Sequence, residues 1–221
     1  INSFVARFVD GVGGDRLGVV TFASGTVIDV PINKNANRGF NRSQVTSAIN
    51  ALSAVGATAT AEGLSKAVGE LNAIPAAVRS SLRVILLFSD GAPNIVNGQF
   101  RQTTGSIVPA TGSFNLYSET TGSDISIGGK VCRAGDGACR TMPANQRNGP
   151  ETYYGANYGA SYRQITHLPL TGSNGVPLAS YRNERTIVTA GGGAAGFPYD
   201  NTRCNVNRAA RNMVENVANT A

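Results

Sequence analysis

Val84-Ile85-Leu86-Leu87-Phe88 is an unbroken run of large apolar residues that stops at Ser89-Asp90-Gly91. Such a run, without polar alternation, suits a strand buried on both faces of a parallel sheet. The preceding residues read as strands alternating with helices. Phe4, Val5, Phe8, Val9 and Val12 recur at helical spacing, and Gly13-Gly14 ends that helix. Arg16 to Phe22 is a β-branched apolar strand. Val27 to Ile32 alternates, with Pro31 placed as on an edge strand. Ser43 is a candidate cap for a helix that buries Val45, Ile49 and Leu52. Ala61, Leu64, Val68 and Leu71 mark a third helix, with Glu62 in its first turn, where the dipole favours an acid. The expected fold class is therefore α/β: a doubly wound, mostly parallel sheet flanked by helices.

After Asp90 the pattern changes. From Ala92 to about Asn183, Gly, Ser, Thr, Asn and Tyr dominate and no helical period is sustained. About ninety residues is far too long for a loop, so this is a long irregular or β-rich insertion. The expected organisation is 1–91, an insertion over 92–184, and a return to the α/β unit over 185–221. In the last part Arg185 to Thr189 suits a strand, Gly191-Gly192-Gly193 a flexible turn, and Val206, Ala209, Ala210, Met213, Val214 and Val217 one stripe of a helix.

The composition narrows the function classes. The net charge is +6, but only three of the 19 basic residues are lysines and the arginines are scattered from Arg7 to Arg211. A nucleic-acid surface clusters its cations, so no nucleic-acid partner is expected. No stretch approaches the roughly 18 apolar residues of a membrane span. A Gly-rich spacer separates Cys132 from Cys139 and allows the two sulfurs to meet. A disulfide there would contribute about 2.5 kcal/mol and point to an oxidising compartment; free thiols are the other reading. A zinc site would have to use three cysteines and one histidine without any Cys-x-x-Cys pair.

Two residues are placed for ligand chemistry. Asp90 stands at the carboxyl end of the expected parallel strand, the edge at which open α/β sheets bind ligands. Thr58 lies in a short polar loop before a helix and should reach the same edge, with Thr60 the better candidate for capping that helix. A hydroxyl and a carboxylate are hard oxygen donors, suited to Mg²⁺ first and to Mn²⁺ or Ca²⁺ by the same chemistry. A Ser–His–Asp hydrolase would have to use His167, the only histidine, yet no Gly-x-Ser-x-Gly elbow is present. Gly191-Gly192-Gly193 lacks the Gly-Lys-Ser/Thr of a phosphate loop.

Asp15-Arg-Leu-Gly-Val-Val-Thr-Phe-Ala-Ser24, Gly56-Ala-Thr-Ala-Thr-Ala-Glu-Gly-Leu64 and Val84-Ile-Leu-Leu-Phe-Ser-Asp-Gly91 resemble three consecutive signatures of the von Willebrand factor A-type domain, in the family's order. The flavour is similar to the TadG-like proteins of bacterial Tad/Flp pilus systems. The resemblance covers about residues 1–92 and 185–221, and Asn205 to Ala218 resembles a family helix.

The resemblance implies a metal-ion-dependent adhesion site built from an Asp-x-Ser-x-Ser loop, a threonine and an aspartate. The threonine matches Thr58 and the aspartate Asp90. The Asp-x-Ser-x-Ser loop has no match, since it and the family's first strand would precede Ile1, and later strands would follow Ala221. Asp124-Ile-Ser126-Ile-Gly128 ends in Gly and follows no apolar strand, so it does not replace that loop. One carboxylate and one hydroxyl hold a six-coordinate cation weakly. These 221 residues alone are thus expected to bind metal weakly or not at all, and to be poorly stable with strands left unpaired.

The implied function is non-enzymatic: adhesion or assembly, with a protein partner's acidic side chain completing the cation's shell, in the periplasm or at the bacterial cell surface. An intracellular adaptor serving an ATPase machine is the alternative, and a hydrolase using His167 a third. All seven tyrosines follow residue 116. Tyr153, Tyr154 and Tyr158, among Gly, Asn and Ser, have the composition of binding loops, and we expect them to contact the partner.

Overall fold

The computed structural model describes residues 1–23, 25–53, 57–102, 105–108, 113–117, 130–133, 140–141, 165–179, 187, 189–200 and 203–221. The chain opens with a single helical turn, α1 (Asn2–Val5). The longer helix expected there does not form. The Val9 N–H is taken by the Asp15 carboxylate at 2.8 Å, and Gly11 and Gly13 adopt positive φ. The chain folds back on itself, leaving Val9 and Val12 exposed.

Strands β1 (Val19–Phe22) and β2 (Thr26–Val30) form an antiparallel hairpin, with Val19 opposite Val30 and Phe22 opposite Thr26. Helix α2 (Arg42–Asn50) follows. Its cap is Asn41, whose Oδ1 accepts the Gln44 N–H at 3.0 Å, and not Ser43 as expected. Val45 is fully buried, while Leu52 lies beyond the helix and is exposed. Val5, Val30, Phe40 and Val45 make a small N-terminal core.

Helix α3 (Thr60–Asn72) packs on this hairpin. Gly63 lets it approach Phe22: a Cβ at that position would lie 2.9 Å from the ring. Glu70 ties the helix to the end of β2, accepting the Ile32 N–H at 2.9 Å and the Lys34 ammonium at 2.8 Å. Burial pushes the Glu70 carboxyl up, but these two bonds outweigh it and hold the group below its ordinary value. A depressed carboxyl stabilises the fold above its unfolded pKa and loses that contribution as pH falls through the folded value. Glu70→Gln should therefore lower stability by about 1 kcal/mol at pH 7. It should also flatten the loss seen between neutral pH and pH 3 in urea titrations.

A short 3-10 turn (Ala76–Val78) leads into residues 79–91, which form no strand. This corrects the expectation of a buried parallel strand at Val84 to Phe88. Leu82 is 77% exposed, Val84 61% and Phe88 56%. An apolar run forms a central strand only where neighbours supply ladder partners on both sides, and among the described residues nothing pairs with it.

The strands that do pair are β3 (Ile95–Gly98), β4 (Phe100–Gln102), β5 (Ile107–Val108), β6 (Phe114–Tyr117), β7 (Lys130–Arg133), β8 (Arg140–Thr141), β9 (Ile165–Leu168), β10 (Thr189–Ala194) and β11 (Phe197–Asp200). They make a five-stranded sheet of order β10-β11-β9-β4-β5 and a four-stranded one of order β3-β6-β7-β8. Every recorded pairing, including β1 with β2, is antiparallel. The expected doubly wound, mostly parallel sheet is thus replaced, among the described residues, by helices and three small antiparallel sheets. Links as short as the two-residue turn between β10 and β11 permit only antiparallel pairing. Gly191-Gly192-Gly193, expected as a turn, lies within β10, whose pairing with β11 shifts register there.

Helix α4 (Arg203–Thr220) closes the molecule against α3 and β3. Its stripe of Val206, Ala209, Ala210, Met213 and Val217 is buried as the spacing predicts. The main core joins Val206, Ala209, Ala210 and Met213 of this stripe to Ala61, Val96, Phe100, Leu116, Ile165 and Leu168. Buried Asn212 donates to the Leu178 carbonyl at 2.9 Å, and Asn216 to those of Pro177 and Ala179. No described helix is long and apolar enough to cross a membrane.

Candidate functional site

Two turns meet near the start of α3. One carries Thr58, immediately before the helix. Its path is set by the Ala59 N–H, which donates to the Ala23 carbonyl just past the end of β1 at 2.9 Å. The other carries Asp90. Ser89 closes that turn: its hydroxyl accepts the Gly91 N–H at 3.2 Å and donates to the Gly91 carbonyl at 2.8 Å. The two turns touch at Gly91. A Cβ there would lie 2.8 Å from the Thr58 hydroxyl, so only glycine leaves that hydroxyl its space.

Thr58 and Asp90, paired from sequence, are thus on adjoining turns. Thr58 is half-buried and Asp90 exposed, and neither the hydroxyl nor the carboxylate has a partner among the described residues. A free hydroxyl and a free carboxylate are donors a hard divalent cation accepts. Mg²⁺ commonly takes only one or two carboxylates and keeps several waters, so the pair fits part of such a shell. Among the described residues no group of three His, Cys, Asp or Glu could hold a metal.

Sequence reasoning missed Asn94. It is 5% exposed, its Oδ1 accepts the Thr58 N–H at 2.8 Å, and its own N–H donates to the Thr58 carbonyl at 3.2 Å. The Asn-Ile step that opens the first strand after Asp90 was the available signal. Thr60 departs from expectation. It is the first residue of α3 and not its cap; the cap position is Ala59, and the Thr60 hydroxyl is buried without a partner among the described residues. One oxygen of Glu62, Oε2, is buried without a partner too.

The other nominated residues lie elsewhere. His167 stands on β9, in register with Arg101 of β4 and Asp200 of β11, with no serine opposite it. Cys132 is in β7, opposite Asn115, while Cys139 is outside the described residues, as are Tyr153, Tyr154 and Tyr158 and the segment Asp124 to Gly128. A cleft of about 860 Å³ opens at the far end of the β1–β2 hairpin from Thr58, between the loops of Asp10 and Arg38.

The arrangement is a helix preceded by a turn whose threonine hydroxyl has no partner among the described residues, beside a second turn with an exposed carboxylate. Residues 1–92 match the family model of the von Willebrand factor type A domain, a domain that generally mediates protein–protein interaction or adhesion. The match includes both Thr58 and Asp90 and stops short of Asn94. No curated protein and no solved structure matches the chain.

Proposed function

We propose that this chain is a non-enzymatic protein-binding module whose contact with its partner is completed by a divalent cation. The observation that carries the reading is the meeting of the free Thr58 hydroxyl with the Asp90 turn at Gly91. Thr58 and Asp90 would hold Mg²⁺, or Mn²⁺ or Ca²⁺ by the same donor chemistry. The cation would supply a Lewis-acidic position for a carboxylate of the partner. The chain's own contribution is placement: Ser89 fixes the Asp90 turn, and Gly91 keeps room for the Thr58 hydroxyl. Two protein donors imply weak binding of the cation alone and tighter binding once an acidic partner is present. The motif resemblance favours a TadG-like envelope protein of a pilus-assembly system, in the periplasm or at the cell surface.

Thermal unfolding with and without Mg²⁺ tests the reading. The unmodified chain should melt higher in millimolar Mg²⁺, and Asp90→Asn and Thr58→Ala should each abolish that increment while leaving the Mg²⁺-free midpoint within a few degrees. An increment that survives in Asp90→Asn places the cation elsewhere.

A further inference from the structure

The two hydrogen bonds between Asn94 and Thr58 join the cation-site turn to the strand that begins the insertion. Asn94 immediately precedes β3. On one side, its buried amide and its own N–H grip the Thr58 peptide at 2.8 and 3.2 Å. Alongside, Ile95 packs with Ala57 and Ala59, the two neighbours of Thr58. On the other side β3 is anchored in the insertion. It pairs with β6, and the Asn97 Oδ1 accepts from the hydroxyls of Ser113 and Ser173. The Ser173 N–H also donates to the Asn97 carbonyl at 2.9 Å. Besides these two bonds, the turn is held by the Ala59 N–H on the Ala23 carbonyl at 2.9 Å. Thr58 precedes α3 outside the helical ladder, in a turn whose Ala59 cap makes no side-chain hydrogen bond.

We propose that Asn94 is a positioning residue through which the first strand of the insertion sets the Thr58 hydroxyl toward the Asp90 turn. The consequence is regulatory. Whatever orders or shifts β3 changes the presentation of Thr58, and occupancy at Thr58 and Asp90 steadies β3 in return, because coupling between two sites is reciprocal. The function of this coupling rests on the cation reading above; the hold of Asn94 on Thr58 does not.

The test combines amide hydrogen exchange with Mg²⁺-dependent melting on the whole chain. In Asn94→Ala the Thr58 amide should exchange about tenfold faster, and the Mg²⁺ concentration giving half the thermal increment should rise about tenfold, the effect of one lost hydrogen bond. Asn94→Asp keeps an acceptor in place and should restore both to near the unmodified values, a rescue that general loosening of the fold would not give. Mg²⁺ should also slow exchange across Ile95 to Gly98 in the unmodified chain and not in Asn94→Ala. Should the alanine variant fail to fold, Asn94→Ser, too short to reach the Thr58 N–H, is read in its place. Unchanged Thr58 exchange in a folded Asn94→Ala or Asn94→Ser overturns the proposal. Faster Thr58 exchange with no Mg²⁺ response in any variant supports the grip of Asn94 and overturns the cation reading alone.

Discussion

Phe100→Ala is expected to lower the unfolding free energy by about 3–5 kcal/mol. Phe100 is fully buried and opens β4, in the sheet that also contains β9, β10 and β11. Its ring belongs to the cluster that includes Leu116, Ile165, Leu168 and the α4 residues Val206 and Met213. Truncation removes the ring's transfer energy and leaves a void walled by two sheets and a helix, which cannot all collapse onto it. Against a total stability of about 5–15 kcal/mol, such a loss is enough to leave a marginal domain largely unfolded at 37 °C. Urea denaturation followed by far-ultraviolet circular dichroism measures it. The strand and helix signals should shift together, because one core serves both. A loss under about 1 kcal/mol would mean that β4 does not pack as described.

Gly39→Ala should be nearly as damaging, at about 3 kcal/mol, from strained backbone and overpacking together. Gly39 has φ +99°, a conformation that side chains rarely adopt. A Cβ there would lie 2.0 Å from the Gly11 carbonyl oxygen and 2.8 Å from its carbon. Backbone cannot swing aside as a side-chain tip can. The two loops are also pinned together, with the Gly11 N–H on the Phe40 carbonyl at 3.0 Å and the Gly13 N–H on that of Asn37 at 2.8 Å. The damage should be local at first, loosening the small core of Val5, Val30, Phe40 and Val45 while the Phe100 cluster holds. Hydrogen exchange resolves the two: protection should fall in β2 and α2 and persist in α4. Uniform loss across the chain would show that the N-terminal core and the main core unfold as one unit.

How much of this was legible in the residues depended on whether the governing interaction was local. The α4 stripe was, because a period of 3.6 sustained along an 18-residue helix admits one reading. That the Thr58 turn lies against Gly91, next to Asp90, agrees with the motif order, although the parallel-sheet edge from which the two were expected to project does not form. The sheet was not legible. Val84 to Phe88 has the composition of a central strand, but composition does not say which neighbours will be beside it, and in the described structure it has none. Gly191-Gly192-Gly193 was misread for a related reason: glycine weakens a strand on its own, yet pairing with β11 overrides that preference. Asn41 displaced Ser43 as a cap because both are good caps and only the path of the preceding loop chooses between them. Asn94 was missed because the Asn-Ile step before β3 marks only a strand start, and nothing local says that its amide clamps the distant Thr58 peptide.

The central claim is that Thr58 and Asp90 act together on a divalent cation. Paramagnetic broadening by Mn²⁺ in amide NMR spectra tests it most directly, since broadening falls off steeply with distance and reports position rather than affinity. Substoichiometric Mn²⁺ should broaden the amides of Thr58, Ala59, Asp90 and Gly91 first, Mg²⁺ should reverse the effect, and Asp90→Asn should remove it. Broadening centred on other residues, or unchanged in Asp90→Asn, would contradict the claim.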